Sequence, residues 1–223
     1  HRGMVAGGVG VEQRSLVLIR PPAIVRGDAD RLKAWLLHPR YQLQVVHAID
    51  MQPSPDLLFK HYDMERLAKR GFNFLHNNPN AYLAQPTAYA DYLAAKRAST
   101  VAQFGLAPTL VMVLAGPWAI KQLRYLGGAE CPVDTRTDQA LSSPDFVLNP
   151  AWMTDPAIVW QSYMSRHQTP PPGTIRGDFV YDDSPTAERE ARMMDVPLHL
   201  SDSAAEAERE IKLWLPQWAA ENL

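Results

Sequence analysis

The stretch PLHLSDSAAEAEREIKLWL, Pro197 to Leu215, joins a short apolar segment to a run of alternating charged and apolar residues. Ser203 and Glu206 stand three residues apart, the capping-box spacing in which each side chain binds an otherwise unpaired backbone N–H. The apolar residues Ala204, Ala207, Ile211 and Leu215 then recur at helical intervals. The charged residues lie largely on the other side. The pattern predicts an amphipathic helix that begins directly after Ser203.

His199 lies just before this helix and is the first candidate for a functional residue. Val196 to Leu198 resembles the end of a buried strand, which would place His199 at a strand-to-helix corner. Backbone N–H groups and the helix dipole favour an anion at such a corner. The local pattern leaves two interpretations open, a reactive histidine or an ordinary structural or surface histidine.

Composition indicates a globular protein with a real core. The chain has 223 residues, 46% hydrophobic and 21% charged, which allows one large domain or two small ones. A formal net charge of -2 gives no global reason to expect nucleic acid or an anionic membrane as a partner. Apolar runs such as TLVMVLAG are too short to span a bilayer and no leader pattern is recognised, so we expect a cytoplasmic location.

Cysteine and histidine usage gives no support for a structural metal or a disulfide framework. Cys131 is the single cysteine, which excludes an internal disulfide and a cysteine-rich zinc site. The seven histidines show no paired spacing of the H-E-x-x-H kind. The sequence therefore predicts no metal ligands from the protein itself.

Strand and helix patterns alternate along the chain. Short apolar runs predict four strands: Ser15–Arg20, Gln42–Met51, Thr109–Gly116 and a segment ending near Leu198. Helical patterns predict helices over Asp28–Leu37, from Ser54 to about Ala68, over Trp118–Leu126 and after Ser203. The alternation predicts an α+β sandwich of helices on one sheet. Two long segments, Gly71–Pro86 and Val133–Pro172, are expected to be loops with at most short helices, either functional or simply surface excursions.

Several separated segments, in order, resemble the motifs of one family, the nucleoside diphosphate kinases. PGTIRGDF, Pro172–Phe179, is similar to that family's arginine-bearing loop, and HLSDS, His199–Ser203, to its H-G-S-D-S signature. The other matching segments are SLVLIRPPAIVRG from Ser15, PTLVMVLAGPWAIKQLR from Pro108, AEREI from Ala207, and the pair His61 and Tyr62. The resemblance implies a ferredoxin-like fold with a four-stranded antiparallel sheet. It also implies one domain from residue 4 to 223, with insertions at about 70–107, 133–171 and 180–195.

The resemblance assigns catalytic roles to four residues. His199 would attack the terminal phosphate of a nucleoside triphosphate and pass it on as a phosphohistidine, a step suited to an imidazole that is largely neutral at pH 7. Tyr62 would lie beside it, Ser201 would form a hydrogen bond near it, and Glu210 would orient its second ring nitrogen. Each of these residues, taken singly, could equally be a surface residue or part of a helix-face ion pair.

A second group of residues would hold the nucleotide. By resemblance Arg124 and Arg176 bind phosphates, and Arg20 stands where the family has a phosphate-binding lysine. Val196 replaces an asparagine that contacts the sugar, and a valine can neither donate nor accept that hydrogen bond. Glu130 stands near a phosphate-binding threonine of the family, and its carboxylate would repel a phosphate.

The expected partners follow from the same resemblance. They are nucleotides, ATP or another nucleoside triphosphate, with Mg²⁺ held through the nucleotide phosphates and not by the protein. A homo-oligomer is a candidate assembly. The base-stacking aromatic residue stays open among Phe72, Phe74, Tyr82 and Tyr89, and further departures from the family are Pro22 for an aspartate and Leu200 for a small residue.

Three functional hypotheses remain at the level of sequence. The first is a phosphotransferase acting through His199 on a nucleoside diphosphate. The second keeps the fold and the triphosphate site but transfers phosphate to a different small-molecule acceptor, which the loss of sugar contacts at Val196 favours. The third is a nucleotide-binding or scaffold protein without catalysis, favoured by the departures at Arg20, Pro22 and Glu130.

Overall fold

A four-stranded antiparallel sheet organises the protein. The computed structural model describes residues 12–127, 175–179, 182 and 184–223. The strands in these ranges are β1 Glu12–Ile19, β2 Gln44–Met51, β3 Thr109–Pro117 and β4 Leu198–Leu200. They pair in the order β2-β3-β1-β4, with every neighbouring pair antiparallel. This arrangement confirms the predicted α+β, ferredoxin-like fold class.

Helices cover both faces of the sheet. Within the described ranges they are α1 Pro21–Val25, α2 Ala29–Leu36, α3 Pro55–Tyr62, α4 Met64–Leu75, α5 Ala81–Ala84, α6 Pro86–Phe104, α7 Ala119–Gly127, α8 Ile175–Phe179, α9 Ser184–Arg189, α10 Ala204–Trp214 and α11 Pro216–Asn222. The predicted helix start after Ser203 is confirmed, since its hydroxyl accepts a hydrogen bond from the Glu206 N–H at 3.1 Å. No helix in the described part of the chain has the length and apolar character needed to cross a membrane.

The central strand β1 divides the core into two layers. Val17 and Ile19 face one layer with α2 and α7, whereas Leu16 and Leu18 face the other with α3 and α10. All four side chains are fully buried, and each contributes about 1.5–3 kcal/mol by leaving water. The alternation follows from the two-residue period of a strand.

The same period fixes the direction of His199. Leu198 and Leu200 lie in the core layer of α2 and α7. His199, between them in β4, therefore faces the opposite layer, where α3 and α10 pack. The expectation that a strand ends at Leu198, before the histidine, was wrong: β4 begins there, because backbone pairing of Leu18 with His199 carries the strand through the histidine.

The helix predicted from Ser54 to Ala68 is two helices. Asp63 takes a left-handed backbone conformation, φ 44°, which ends α3, and its side chain accepts from the Arg66 N–H at 3.3 Å to begin α4. Asp and Asn tolerate this conformation better than other side chains. The expected loop Gly71–Pro86 is in part helical, because α4 runs on to Leu75 and α5 follows.

The nineteen-residue helix α6 was missed at the level of sequence. Its buried positions are four residues apart, at Tyr92, Lys96, Thr100 and Phe104. Two of these are polar, so α6 has no continuous apolar stripe of the kind that identifies an amphipathic helix. With α5 and the end of α4 it occupies the part of the chain predicted as the first insertion.

Other predictions lie at or beyond the edges of the described ranges. The segment expected as an arginine-bearing loop contains a short helix, α8, whose Ile175 and Phe179 are buried. Glu130 and Cys131 lie outside the described residues, as does the expected loop Val133–Pro172. The single-domain boundaries and the insertion limits stay predictions.

A buried ion pair joins α6 to α9. Lys96 of α6 donates to Glu188 of α9, and Tyr92 donates to the same carboxylate oxygen. The Lys96 side chain is 3% exposed and that of Glu188 is 12% exposed. Because a buried charge without its partner is strongly disfavoured, this pair fixes α9 against α6.

We expect Lys96→Met to lower the free energy of unfolding by about 3 kcal/mol, because it leaves the Glu188 carboxylate without its cation. The matched control is Lys60→Met. Lys60 forms an exposed ion pair with Asp56, and loss of that pair should lower the free energy of unfolding by under about 1 kcal/mol. Urea unfolding followed by circular dichroism measures both. Equal losses in the two variants would show that the Lys96 pair is not a buried clamp.

Candidate active site

His199 lies on the sheet face beneath α3 and α10. Its side chain is 21% exposed, so one edge of the ring reaches solvent. Its Nε2 atom lies 2.9 Å from Oε1 of Glu210, which α10 supplies one turn before its end. The strand thus places the imidazole and the helix holds it.

Glu210 is fixed by two further contacts. The Ser201 hydroxyl donates to its second oxygen at 2.6 Å, and the Leu16 N–H of β1 donates to that hydroxyl at 3.1 Å. Burial by itself would raise the pKa of Glu210, but the hydrogen bond and charge of His199, with Ser201 and Arg209, lower that pKa overall. The carboxylate is therefore ionised at neutral pH.

The ionised carboxylate sets the tautomer of His199. Because a carboxylate only accepts hydrogen bonds, the Nε2 atom that faces Glu210 must carry the proton. Nδ1 then has the free lone pair. The arrangement presents Nδ1 as the nucleophilic atom of the imidazole.

A second histidine, His61 of α3, packs against the first. The centroids of the His61 and His199 rings are 4.4 Å apart, and the two ring planes meet at 81°. The ring centroid of Trp214, on α10, lies 5.3 Å from that of His61. The His61 side chain is 1% exposed. Neither of its ring nitrogens has a hydrogen-bond partner among the described residues.

The sequence analysis did not assign His61 to the site, although it precedes the assigned Tyr62. Burial lowers the pKa of His61 well below its usual value, and the charges of His199, Arg209 and Arg20 lower it further. His61 is therefore neutral near pH 7. No spacing along the chain could have identified it, because His199 and Glu210, the groups it lies near, come from distant elements.

Tyr62 connects His199 to the buried Arg20. Its ring centroid lies 6.2 Å from that of His199, and the Arg20 guanidinium carbon lies 5.8 Å from the tyrosine ring. Arg20 is 1% exposed and donates to Gln103 and to the Met194 carbonyl. It has no acidic partner among the described residues, and its Nε atom has no hydrogen-bond partner there.

The predicted phosphate ligands occupy neighbouring elements. Arg124 of α7 contacts Asp202, directly after Ser201, at 2.6 Å. Arg176 lies in α8, which packs against α7. Val196 lies outside β4, and its N–H donates to the Met194 carbonyl. The Arg20 guanidinium donates to the same carbonyl.

Comparison with known proteins finds similarity to one family. The chain is 26% identical over 210 residues to a nucleoside diphosphate kinase of Pyrobaculum aerophilum, with 91% of this chain and 94% of that protein covered. The crystal structure of an NDP kinase from the same organism superposes with a TM-score of 0.59 at 25% identity, covering 93% and 98% of the two chains. The chain is similar to nucleoside diphosphate kinases over most of its length.

Further comparisons find the same similarity. A nucleoside diphosphate kinase of Rhodococcus opacus is 31% identical over 113 residues, which are 51% of this chain and 50% of that protein. The structure of the Borrelia burgdorferi enzyme with vanadate and ADP, 20% identical with a TM-score of 0.53, covers 94% of this chain and 90% of its own and shows the same fold. No family model matches the chain.

The aromatic residues considered for base stacking form their own cluster. Phe72 is buried and contacts the rings of Tyr89 and Tyr92, while Tyr82 contacts Tyr89. Lys69 lies over the Tyr82 ring at 5.2 Å. The cluster joins helices α4, α5 and α6, and the assignment of a base-stacking residue stays open.

We expect Glu210→Gln to mix the two neutral tautomers of His199, because an amide can donate as well as accept. The measurement is the ¹⁵N spectrum of histidine-labelled protein. Wild type should show a protonated Nε2 and an unprotonated Nδ1. The control Glu208→Gln, on the exposed side of α10, should leave that spectrum unchanged. A wild-type His199 protonated on Nδ1 would contradict the assignment.

Proposed function

We propose that this protein is a phosphotransferase that moves the terminal phosphate of a nucleoside triphosphate through His199 to a nucleoside diphosphate. One observation carries the proposal: the imidazole of His199 is held through Nε2 by an ionised Glu210, which leaves Nδ1 free to attack. The similarity to nucleoside diphosphate kinases over most of the chain supports it.

The buried Arg20 supports an anionic substrate. A guanidinium that is 1% exposed and lacks an acidic partner among the described residues is stabilised by an incoming phosphate. Arg124 lies on the other side of the β4 signature, next to Asp202. Two cations near a nucleophile suit phosphoryl transfer, where charge spreads over the phosphate oxygens.

The chemical step follows from these positions. The Nδ1 lone pair of His199 forms a bond to the terminal phosphorus, and the bond from that phosphorus to its bridging oxygen breaks, which releases the nucleoside diphosphate. Glu210 keeps the Nε2 proton and stabilises the positive charge that develops on the ring. The reverse step returns the phosphate to the acceptor.

The site is compatible with magnesium that arrives bound to the nucleotide phosphates. Mg²⁺ prefers oxygen ligands. Glu210 is the acidic group in contact with His199 among the described residues, and its oxygens already bind His199 and Ser201, so the phosphates would supply the oxygen ligands. Mg²⁺ bound to the phosphates would neutralise part of their charge. Arg20 and Arg124 would orient the phosphates from the protein side.

A different acceptor is the second candidate. Val196 offers no side-chain hydrogen bond to a sugar, and helices α5 and α6 lie in the segment predicted as the first insertion. These observations favour a specialised enzyme that uses the triphosphate site on another small molecule. A non-catalytic nucleotide-binding or scaffold role stays a third hypothesis, which the held geometry of His199 opposes. The cytoplasmic location and a homo-oligomeric state stay predictions.

We expect wild-type protein incubated with ATP and magnesium at neutral to alkaline pH to gain one phosphate on His199. This phosphate should be acid-labile, because the bond between phosphorus and an imidazole nitrogen hydrolyses in acid, whereas phosphate esters of serine, threonine and tyrosine survive. Intact-protein mass spectrometry measures it. His199→Ala should gain none, whereas His38→Ala, at an exposed histidine outside the site, should behave like wild type. Phosphate on His199→Ala at the wild-type level would remove the central claim.

We expect the phosphorylated protein to discriminate only weakly among nucleoside diphosphates, because Val196 provides no polar contact to the sugar. Val196→Asn should then raise the rate of transfer to ribonucleoside diphosphates about fivefold, the worth of one hydrogen bond of about 1 kcal/mol. Val25→Asn, at an exposed position, is the control. A strong preference of wild type for one ordinary diphosphate would count against a remodelled sugar site, and no transfer to any of them would favour the second candidate.

A further inference from the structure

The proposed phosphotransfer leaves one buried polar group without a role. His61 is 1% exposed at its side chain, and both of its ring nitrogens lack a hydrogen-bond partner among the described residues. A buried polar group without a hydrogen-bond partner is rare and energetically disfavoured, so binding of a ligand to it would be stabilising. Its surroundings show which ligand it fits.

Three possible metal-ligand atoms converge at this point from three separate elements. His61 Nδ1 of α3 lies 4.0 Å from Glu210 Oε1 of α10, and His199 Nε2 of β4 lies 2.9 Å from the same oxygen. One potential ligand atom from each of the three residues lies within 4.8 Å of the other two. A tetrahedral zinc ion with bonds of about 2.0–2.2 Å needs its ligand atoms about 3.3 Å apart, so small side-chain rotations suffice.

We propose that His61, His199 and Glu210 bind one zinc ion, with the fourth coordination position open to water or an anion. Two imidazoles and a carboxylate are a zinc ligand set, and three protein ligands with one open position are the arrangement of reactive zinc sites. Magnesium, which prefers oxygen ligands, does not compete well for two nitrogens. The exposed edge of His199 provides the entry path.

The nearest competing cation can move aside. Arg209 lies 3.8 Å from Oε1 of Glu210, but its side chain is 44% exposed. It also pairs with Glu206 on the same helix at 2.8 Å. Arg209 can therefore keep that partner while zinc occupies the oxygen.

Zinc at this position blocks the proposed nucleophile. Zinc needs the Nε2 lone pair of His199, so Nε2 releases its proton to solvent. Nδ1 takes up a proton from solvent in exchange, and the ring stays neutral. Nδ1 then has no lone pair with which to attack phosphorus. Zinc and phosphate exclude one another on His199, and this consequence, unlike the binding itself, rests on the proposed function.

The binding test uses the full chain without nucleotide. Zinc titration against a chromophoric chelator should give one tight site per wild-type chain, with the affinity lowered at least about 100-fold in His61→Phe, which removes a ligand but keeps a ring between Tyr62 and Trp214. His76→Phe, at an exposed histidine, is the matched control and should bind like wild type. Cobalt in place of zinc should give the intense visible absorption of a four-coordinate ion in wild type only.

A second variant keeps the test decisive if His61→Phe does not fold. His199→Ala removes a different and more exposed ligand and should lose the site equally. Absence of tight zinc binding by wild type, or wild-type affinity in folded His61→Phe or His199→Ala, overturns the proposal.

The inhibition is measured separately. Stoichiometric zinc should abolish phosphorylation of wild type by ATP and magnesium, and a chelator should restore it. Wild type that binds zinc tightly at this site but is phosphorylated as fast as without zinc overturns the exclusion. Wild type that is never phosphorylated, yet binds zinc through these residues, overturns the proposed phosphotransfer and supports the metal site.

Discussion

The carboxylate of Glu210 is the contact on which the site depends. One of its oxygens faces Nε2 of His199, and the other accepts from Ser201, whose hydroxyl in turn accepts from the backbone of β1. Helix α10, the edge strand β4 and the central strand β1 are thus joined at a single buried acid. A carboxylate tied on both oxygens cannot rotate, so the imidazole has one orientation and one tautomer.

The sheet supplies the rest of the geometry. In β4 the two leucines beside the histidine are anchored in one core layer, and the two-residue period turns His199 to the other. There α3 and α10 meet it with His61, Tyr62 and Glu210. A site built on packed strands and helices holds its atoms more closely than one built on loops.

Sequence reasoning recovered the elements whose signals are local. The cap at Ser203 predicted the start of α10, and the strand patterns predicted the sheet. It missed α6, because the buried face of that helix carries Lys96 and Thr100, and it missed the break at Asp63, because a left-handed residue leaves no periodic trace. His61 was passed over for a related reason: its partners come from distant elements, so no spacing along the chain reveals them.

The central claim is that Nδ1 of His199 receives the phosphate while Glu210 holds Nε2. The most direct measurement is ³¹P and ¹⁵N NMR of histidine-labelled protein after phosphorylation, in which coupling to phosphorus identifies the bonded nitrogen. The account predicts one phosphate, coupled to Nδ1 of His199. Phosphorus coupled to Nε2, or carried by any other residue, would contradict it.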